Sequence, residues 1–137
     1  MQMTPYLNFP GTCAEAFHFY AALFGGKIDT EMTHGAMPAP NGVPADWKDK
    51  IMHIRMSGPD GMALMGSDAP PAYHKTPQGF AVSLQLRDPA EAERIYAALA
   101  DRGEVRMALQ QTFWAERFAM LSDRFGIPWI INCAPDA

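Results

Sequence analysis

Residues 14–23 read AEAFHFYAAL, and residues 90–99 read AEAERIYAAL. Seven of the ten positions are identical at an offset of 76 residues, with no gap. Apolar residues recur at helical spacing in both stretches, so each predicts an amphipathic helix. Two helices that match this closely in one short chain indicate an internal duplication.

Signals next to each stretch predict where the helices begin and end. Thr12 and Glu15 form a T-x-x-E capping box, which predicts a helix start near Cys13. Asp88 stands before Pro89, the order of an N-cap residue and a first-turn proline. The helices are expected to end at glycines: Gly25 and Gly26 in the first half, Gly103 in the second.

One strand-like run precedes each helix and three follow it. In the first half the runs are Pro5–Phe9, Lys27–Thr33, Ile51–Ser57 and Met62–Met65. In the second half they are Phe80–Leu86, Val105–Gln111, Arg117–Ser122 and Trp129–Cys133. Each half is therefore predicted to be a βαβββ module of an α+β protein.

The module boundaries follow from the spacing of the turns. Gly61 and Gly126 are 65 residues apart rather than 76, so the first half carries about 11 extra residues. We place them in a long Pro- and Gly-rich loop at His34–Asp49, and Asp68–Gln78 is predicted to link the modules. Module 1 covers about residues 1–68, the linker about 69–78 and module 2 about 79–137, within one domain.

Charge and composition exclude several classes of function. Lys and Arg number 11 against 15 Asp and Glu, a net charge of -4, which gives no electrostatic reason to bind nucleic acid or an anionic membrane. No apolar run is long enough to span a bilayer. We see no secretory signal at the start of the chain, and two cysteines make no disulfide framework. A cytoplasmic location is therefore expected.

Four segments carry a family resemblance. They are TPYLNF at residues 4–9, AEAFHFY at 14–20, QTFWA at 111–115, and DRFGIPWIIN at 123–132. With the paired modules, they make the chain resemble the vicinal oxygen chelate superfamily of glyoxalase I, bleomycin-resistance proteins and extradiol dioxygenases, and more narrowly its PhnB-like branch. The resemblance implies a curved eight-stranded mixed sheet with a concave pocket for a small molecule, and a homodimer.

Strand alternation predicts which side chains line that pocket. In Ile51–Ser57 we expect Met52, Ile54 and Met56 to face the helix, and Ile51 to face the pocket with the polar residues. An aromatic ring could also stack on a planar ligand. The predicted ligand-binding residues are His53, Arg55, Ser83, Gln85, Gln110, Trp114 and Asn132, with Ser67 less certain.

The resemblance also implies a test for a metal centre, because enzymes of the superfamily hold a divalent ion with His, Glu or Gln from four related strands. The corresponding positions fall on Pro5, Met65, Ala81 and Ile130. None of these is a suitable ligand for a hard metal ion. We therefore expect no cofactor, while a shifted metal site that uses His53 stays open.

Individual residues keep two interpretations each. His53 is the best candidate for acid–base catalysis, or else it is a hydrogen-bonded pocket residue. Arg55 either clamps a carboxylate or phosphate, or is a solvated charge. Cys13 in the first helical turn is either reactive or simply buried. Trp114 either stacks on a ligand or packs in a core or dimer contact.

Two classes of function follow. The first is a small-molecule-binding protein without the usual metal site. The second is a divergent lyase, isomerase or dioxygenase acting on a small oxygen-rich or aromatic substrate in the same pocket.

Overall fold

The computed structural model describes residues 1–36, 38 and 44–135. The chain divides into two compact units, Met1–Lys75 and Thr76–Ala137, which we call module 1 and module 2. Each contains one α-helix and four strands in the order β-α-β-β-β, so the predicted α+β fold of two βαβββ modules is confirmed.

Module 1 forms a four-stranded mixed sheet. Its elements are β1 (Tyr6–Phe9), α1 (Cys13–Phe24), β2 (Lys27–Thr33), β3 (Ile51–Ser57) and β4 (Ala63–Asp68). The strand order is β1-β4-β3-β2. Strand β1 runs parallel to β4, and the other neighbours are antiparallel.

Module 2 repeats this arrangement. Its elements are β5 (Val82–Leu86), α2 (Pro89–Ala100), β6 (Glu104–Gln110), β7 (Arg117–Ser122) and β8 (Pro128–Cys133). The strand order is β5-β8-β7-β6, with β5 parallel to β8. The two helices keep the offset of 76 residues found in the sequence.

The predicted capping box at the start of α1 is wrong. Helix α1 begins at Cys13 as expected, but the side chain of Thr12 makes no capping hydrogen bond. The Asp68 carboxylate at the end of β4 accepts hydrogen bonds from the N–H groups of Gly11 and Cys13 instead. A residue distant in sequence thus supplies the negative group that a helix N-terminus favours. In module 2 the local cap is confirmed, because Asp88 accepts from the N–H of Ala90.

The ends of the helices differ between the modules. Gly25 takes the left-handed conformation after α1, as predicted. Helix α2 instead ends at Ala100, with Asp101 as its C-cap residue, and Arg102 adopts a φ of 57°. Gly103 serves close packing, because a Cβ there would clash with the carbonyl of Ser122.

Two loop predictions also change. Asp68 is a buried residue of β4 and not part of the linker. The predicted loop His34–Asp49 contains short 3-10 turns at His34–Ala36 and Ala45–Trp47, while its residues 37 and 39–43 lie outside the described part of the chain.

The modules fill the space between helix and sheet in different ways. In module 1 the ring of Phe17 lies against Gly66, where an added Cβ would be 2.7 Å from the ring. Phe17 is fully buried and packs edge-on against Phe9 and Tyr20. In module 2 large side chains of the strand fill this space instead, because Trp129 and Ile131 of β8 are buried. The glycine in β4 is therefore what allows a large aromatic side chain on α1.

Candidate functional site

The side of each sheet opposite its helix carries polar side chains, and we call these sides the module 1 and module 2 polar faces. In module 1, Gly66 faces the helix, so its neighbours in β4 point to the other side. The strand register places Tyr6 beside Met65 and Asn8 beside Ser67 on the polar face. His53 and Arg55 of β3 lie on this face as predicted, with Arg55 beside Met65.

The partner of His53 is a phenol. The Tyr6 hydroxyl lies 3.2 Å from Nδ1 of His53, within hydrogen-bond distance, and the rings stack with centroids 5.8 Å apart. Tyr6 is 43% exposed, so this pair is open to solvent on one side. A phenol next to an imidazole can relay a proton as well as hold a ring in place. No local sequence signal links Tyr6 to His53, because their contact reaches from β1 to β3 across the intervening β4.

The partner of Arg55 is a carboxylate. Arg55 donates a hydrogen bond of 2.5 Å from Nη1 to Asp29, and the two side chains are 34% and 24% exposed. Asp29 reaches Arg55 because the pairing of β2 with β3 shifts register between Ile28 and Thr30. Such a shift marks a β-bulge, which turns the extra residue toward a new direction. Arg55 is therefore part of an ion pair with Asp29 and is not an isolated charge in solvent.

A second register shift corrects the assignment of Ile51. We expected its side chain in the pocket with His53, but Ile51 is only 2% exposed. The shift lies between the Met32–His53 and Thr33–Ile51 pairs and adds one residue to β3. The alternation of faces therefore does not extend from His53 to Ile51.

Three predicted residues of module 2 form one hydrogen-bonded row. Asn132 donates from Nδ2 to Oε1 of Gln85 at 2.9 Å, and Gln85 donates from Nε2 to Oγ of Ser83 at 2.8 Å. The register places Asn132 and Gln85 side by side on neighbouring parallel strands. Oδ1 of Asn132 is buried and has no hydrogen-bond partner among the described residues. A buried acceptor without a partner costs free energy, which a bound donor would recover.

An aromatic group stands next to this row. Phe118 of β7 lies beside Asn132 in the sheet, and Gln110 of β6 pairs with Phe118 on its other side. The ring of Trp114 packs edge-on against Phe118 with centroids 5.2 Å apart and is 45% exposed. Phe118 thus lies next to Asn132, Gln110 and Trp114, and the hydrogen-bonded row extends from Asn132 to Gln85 and Ser83.

The turn that presents Trp114 is ordered by its own hydrogen bonds. Thr112 and Ala115 bond through their backbones, and the hydroxyl of Thr112 also accepts from the N–H of Ala115. Phe113 at the tip of this turn is 97% exposed and contacts Trp114 edge-on. The turn thus holds two aromatic rings out toward solvent.

The strand register corrects two of the four expected metal positions. Pro5 and Ala81 lie before the first strand of their modules. The residue beside Met65 is Tyr6, and the residue beside Ile130 is Ser83. The corrected set offers a phenol, a thioether, a hydroxyl and an alkyl group, which do not fit the family's metal centre. Within the ranges that the structure describes, no three His, Cys, Asp or Glu side chains come together as a metal site.

Neither cysteine has the setting of a reactive thiol. Cys13 is fully buried, and burial raises the pKa of its thiol, with Asp68 adding to the effect. A raised pKa keeps the thiol protonated and poorly nucleophilic at neutral pH. Cys133 is also buried and forms no disulfide. The buried interpretation of Cys13 is the one that the structure supports.

Asp123 has partners that its sequence spacing did not reveal. Its carboxylate accepts hydrogen bonds from the N–H groups of Phe125 and Ile127 and from the indole of Trp129 at 2.8 Å. Asp123 is 4% exposed, so it organises the turn between β7 and β8 and does not face a ligand.

Two four-stranded mixed sheets, each covered by one helix and presenting polar side chains on the other side, define the βαβββ-repeat class. Residues 6–131 match the Glyoxalase/Bleomycin resistance protein/Dioxygenase superfamily, and the chain belongs to this family. No helix in the described residues is long and apolar enough to cross a membrane.

Individual relatives agree with this assignment. Protein YjdN of Escherichia coli is 33% identical over 96% of this chain and 95% of its own. The crystal structure of protein PA1353 from Pseudomonas aeruginosa is similar with a TM-score of 0.89 and 46% identity, over 99% of each chain. The PhnB protein from Bacillus cereus has the same fold with a TM-score of 0.80 and 23% identity, over 98% of this chain and 100% of its own. The predicted superfamily is therefore confirmed by the family match, and the PhnB protein shares the fold of this chain.

Proposed function

We propose that the protein binds a small, planar molecule on the module 2 polar face and does so without the family's metal ion. The observation that carries this proposal is the buried Oδ1 of Asn132, an acceptor with no hydrogen-bond partner among the described residues. A ligand O–H or N–H would satisfy it, while the ring of the ligand would lie near Phe118 and Trp114. Within module 2 the proposed ligand contacts are the predicted residues Ser83, Gln85, Gln110, Trp114 and Asn132.

The orientation of the Asn132 amide supports a ligand that donates. Its nitrogen faces Oε1 of Gln85, and Gln85 in turn donates to Ser83. With Gln85 donating to Ser83, its Oε1 faces Asn132, and this assignment leaves Oδ1 of Asn132 as the unpaired acceptor of the row. We therefore expect phenols and other hydroxylated rings to bind better than plain hydrocarbons of the same size.

Fluorescence can test this preference. Of the three tryptophans, Trp47 lies in module 1 and Trp129 is 1% exposed, whereas Trp114 is 45% exposed and next to Phe118. A ligand near Phe118 therefore changes mainly the emission of Trp114. Catechol should quench this emission in a saturable manner and toluene should not. The same titration with Trp114→Phe removes the signal, and Asn132→Leu should remove the preference for catechol over toluene. Equal responses to both probes, or a preference that survives Asn132→Leu, would contradict the proposal.

The metal-free part of the proposal has its own test. Purified protein exposed to Zn, Ni, Mn or Fe salts and then desalted should retain no stoichiometric metal, because the donor set on the strands is unsuitable. The control is His53→Ala. A metal that the natural protein retains and this variant loses would establish the shifted site that uses His53.

A second candidate function is proton-transfer catalysis of the isomerase or lyase type, and one observation favours it. The Tyr6 hydroxyl and the His53 imidazole lie 3.2 Å apart on a solvent-accessible part of the sheet. Two such groups can remove and return protons on a bound substrate. Turnover of a hydroxylated substrate that is lost in both Tyr6→Phe and His53→Gln, with binding retained, would identify the protein as an enzyme.

We also propose that the protein is a cytoplasmic homodimer. Two buried cysteines that form no disulfide fit a reducing compartment. Phe113 is 97% exposed on an ordered turn, and a partner subunit would remove that apolar ring from water. Light scattering during size-exclusion chromatography measures the mass directly, and a mass near 15.1 kDa would refute the dimer.

A further inference from the structure

A cavity lies in module 1, at the end of the sheet where β3 turns into β4. It has a volume of about 340 Å³ and is lined by the N-terminal segment on one side and the β3–β4 turn on the other. Its polar lining includes Gln2, Thr4, Arg55 and Ser57. We call this cavity the hairpin notch. Its volume falls at the lower end of the range for small-molecule sites.

Among the described residues that line the hairpin notch, Arg55 is the one that carries a charge. The Arg55 side chain has five N–H groups. Among the described residues, it donates one hydrogen bond, to Asp29. The guanidinium is planar and can grip a carboxylate with two parallel N–H groups. The notch therefore contains a cation with further N–H groups that can donate to a ligand.

The surroundings of Arg55 keep a local positive charge. Asp29 compensates Arg55, but Lys27 lies 4.0 Å from the other oxygen of the same carboxylate. Two cations and one carboxylate leave a net charge of about +1 here, in a chain whose overall charge is -4. A singly charged anion matches this cluster better than a doubly charged one.

Neutral hydrogen-bonding groups complete the lining. Ser57 and Thr4 offer hydroxyl groups, and Gln2 offers an amide. Gly58 and Gly61 leave the backbone of the turn uncovered along the same wall. These groups suit the hydroxyls of a ligand and offer little to an apolar one.

We propose that the hairpin notch binds a small hydroxylated monocarboxylate, with Arg55 holding the carboxylate and Ser57 and Thr4 contacting the hydroxyls. This site goes beyond the proposed function, which is read out at Asn132 and Trp114 in the other module. The two ideas therefore fail independently, since catechol binding reports on one and anion binding on the other.

A nuclear magnetic resonance titration of the full chain tests the proposal. Gluconate should shift the amide resonances of Ser57, Gly58 and Gly61 in a saturable manner. Inorganic phosphate should shift the same amides more weakly, and uncharged glycerol should not shift them. Added salt should weaken the binding, because the attraction is electrostatic. Equal binding of phosphate and gluconate would show that the notch recognises any oxyanion, which overturns the monocarboxylate assignment.

Three variants test whether the charge around Arg55 determines the affinity for gluconate. Arg55→Gln should weaken gluconate binding by at least about tenfold, the usual loss for a charged hydrogen bond. Asp29→Asn should tighten it, because the local charge rises. Arg106→Gln removes an equal charge from an exposed position of β6 and should change nothing. Unchanged binding in Arg55→Gln, weaker binding in Asp29→Asn, or shifts confined to other residues would overturn the proposal.

Discussion

The backbone N–H of Cys13 donates a hydrogen bond of 2.9 Å to the carboxylate of Asp68, so the last residue of β4 caps the first turn of α1. The second oxygen of the same carboxylate accepts from the N–H of Ile51 at 2.9 Å, at the start of β3. One buried side chain therefore joins a helix and two strands that are separated in sequence. Lys50 adds to this junction by donating from Nζ to the carbonyl of Gly11.

Replacing Asp68 by Asn should destabilise the protein by about 2–4 kcal/mol, because an amide nitrogen cannot accept from Ile51 and a buried N–H loses its partner. Urea denaturation followed by circular dichroism measures this loss. The matched control is Thr12→Val at the formal cap position. The Thr12 hydroxyl is buried without a hydrogen-bond partner among the described residues, so its removal should cost little. Equal losses in both variants would show that Asp68 is not the cap.

The capping of α1 also shows what the sequence could and could not predict. Helix and strand positions followed from local signals, such as the periodicity of residues 14–23 and the glycines in the turns. The cap of α1 depends on a contact across 55 residues, and a plausible local signal at Thr12 and Glu15 hid it. Local patterns predict elements well but do not show which distant side chain completes them.

The candidate site was likewise predictable from the sequence only in part. Alternation placed Ser83, Gln85 and Asn132 on one face, because these strands keep their register. It failed at Ile51, and it gave no sign of Asp29 beside Arg55, because both depend on register shifts between β2 and β3. A bulge changes the facing of a residue without leaving a distinctive residue type in the sequence.

Gly66→Ala should destabilise the protein by about 2–4 kcal/mol, because the new methyl group would lie 2.7 Å from the ring of Phe17 and from the carbonyl of Leu7. Thermal denaturation measures the loss, and Phe17→Leu in the same chain should recover part of it. Gly58→Ala is the control, because its methyl group would meet the flexible side chain of Met62 at 3.3 Å and the backbone of Gly26 at an ordinary contact distance of 3.6 Å. A larger loss at Gly58 than at Gly66 would contradict this packing argument.

Tyr6→Phe should change the protonation pattern of the His53 ring. A phenol is the better donor of the pair, so Nδ1 of His53 is expected to accept and the proton of the neutral ring to reside on Nε2. Nitrogen chemical shifts of the imidazole report this tautomer. The variant should move the Nδ1 shift toward the mixture of tautomers seen in a free histidine. His74 in the same spectrum serves as the internal control, and an unmoved His53 signal would show that Tyr6 does not set the tautomer.

The buried thiol of Cys13 should make the protein less stable in alkaline solution. Burial, with Asp68 and Glu31 adding to it, raises the pKa of this thiol in the folded chain, whereas an unfolded thiol ionises near about 8.5. Above that value the unfolded chain binds fewer protons than the folded chain, so the free energy of unfolding falls as pH rises. The contribution is fully present below the unfolded pKa.

From about pH 7.5 to about pH 9.5 the loss due to Cys13 should be about 1.4 kcal/mol. Urea denaturation of the natural protein and of Cys13→Ala over this range measures it as the difference between the two slopes, since the titration of the other groups is common to both. The variant can be less stable throughout, because it leaves a small void, without affecting this comparison. Parallel curves would show that the folded thiol ionises as readily as an unfolded one.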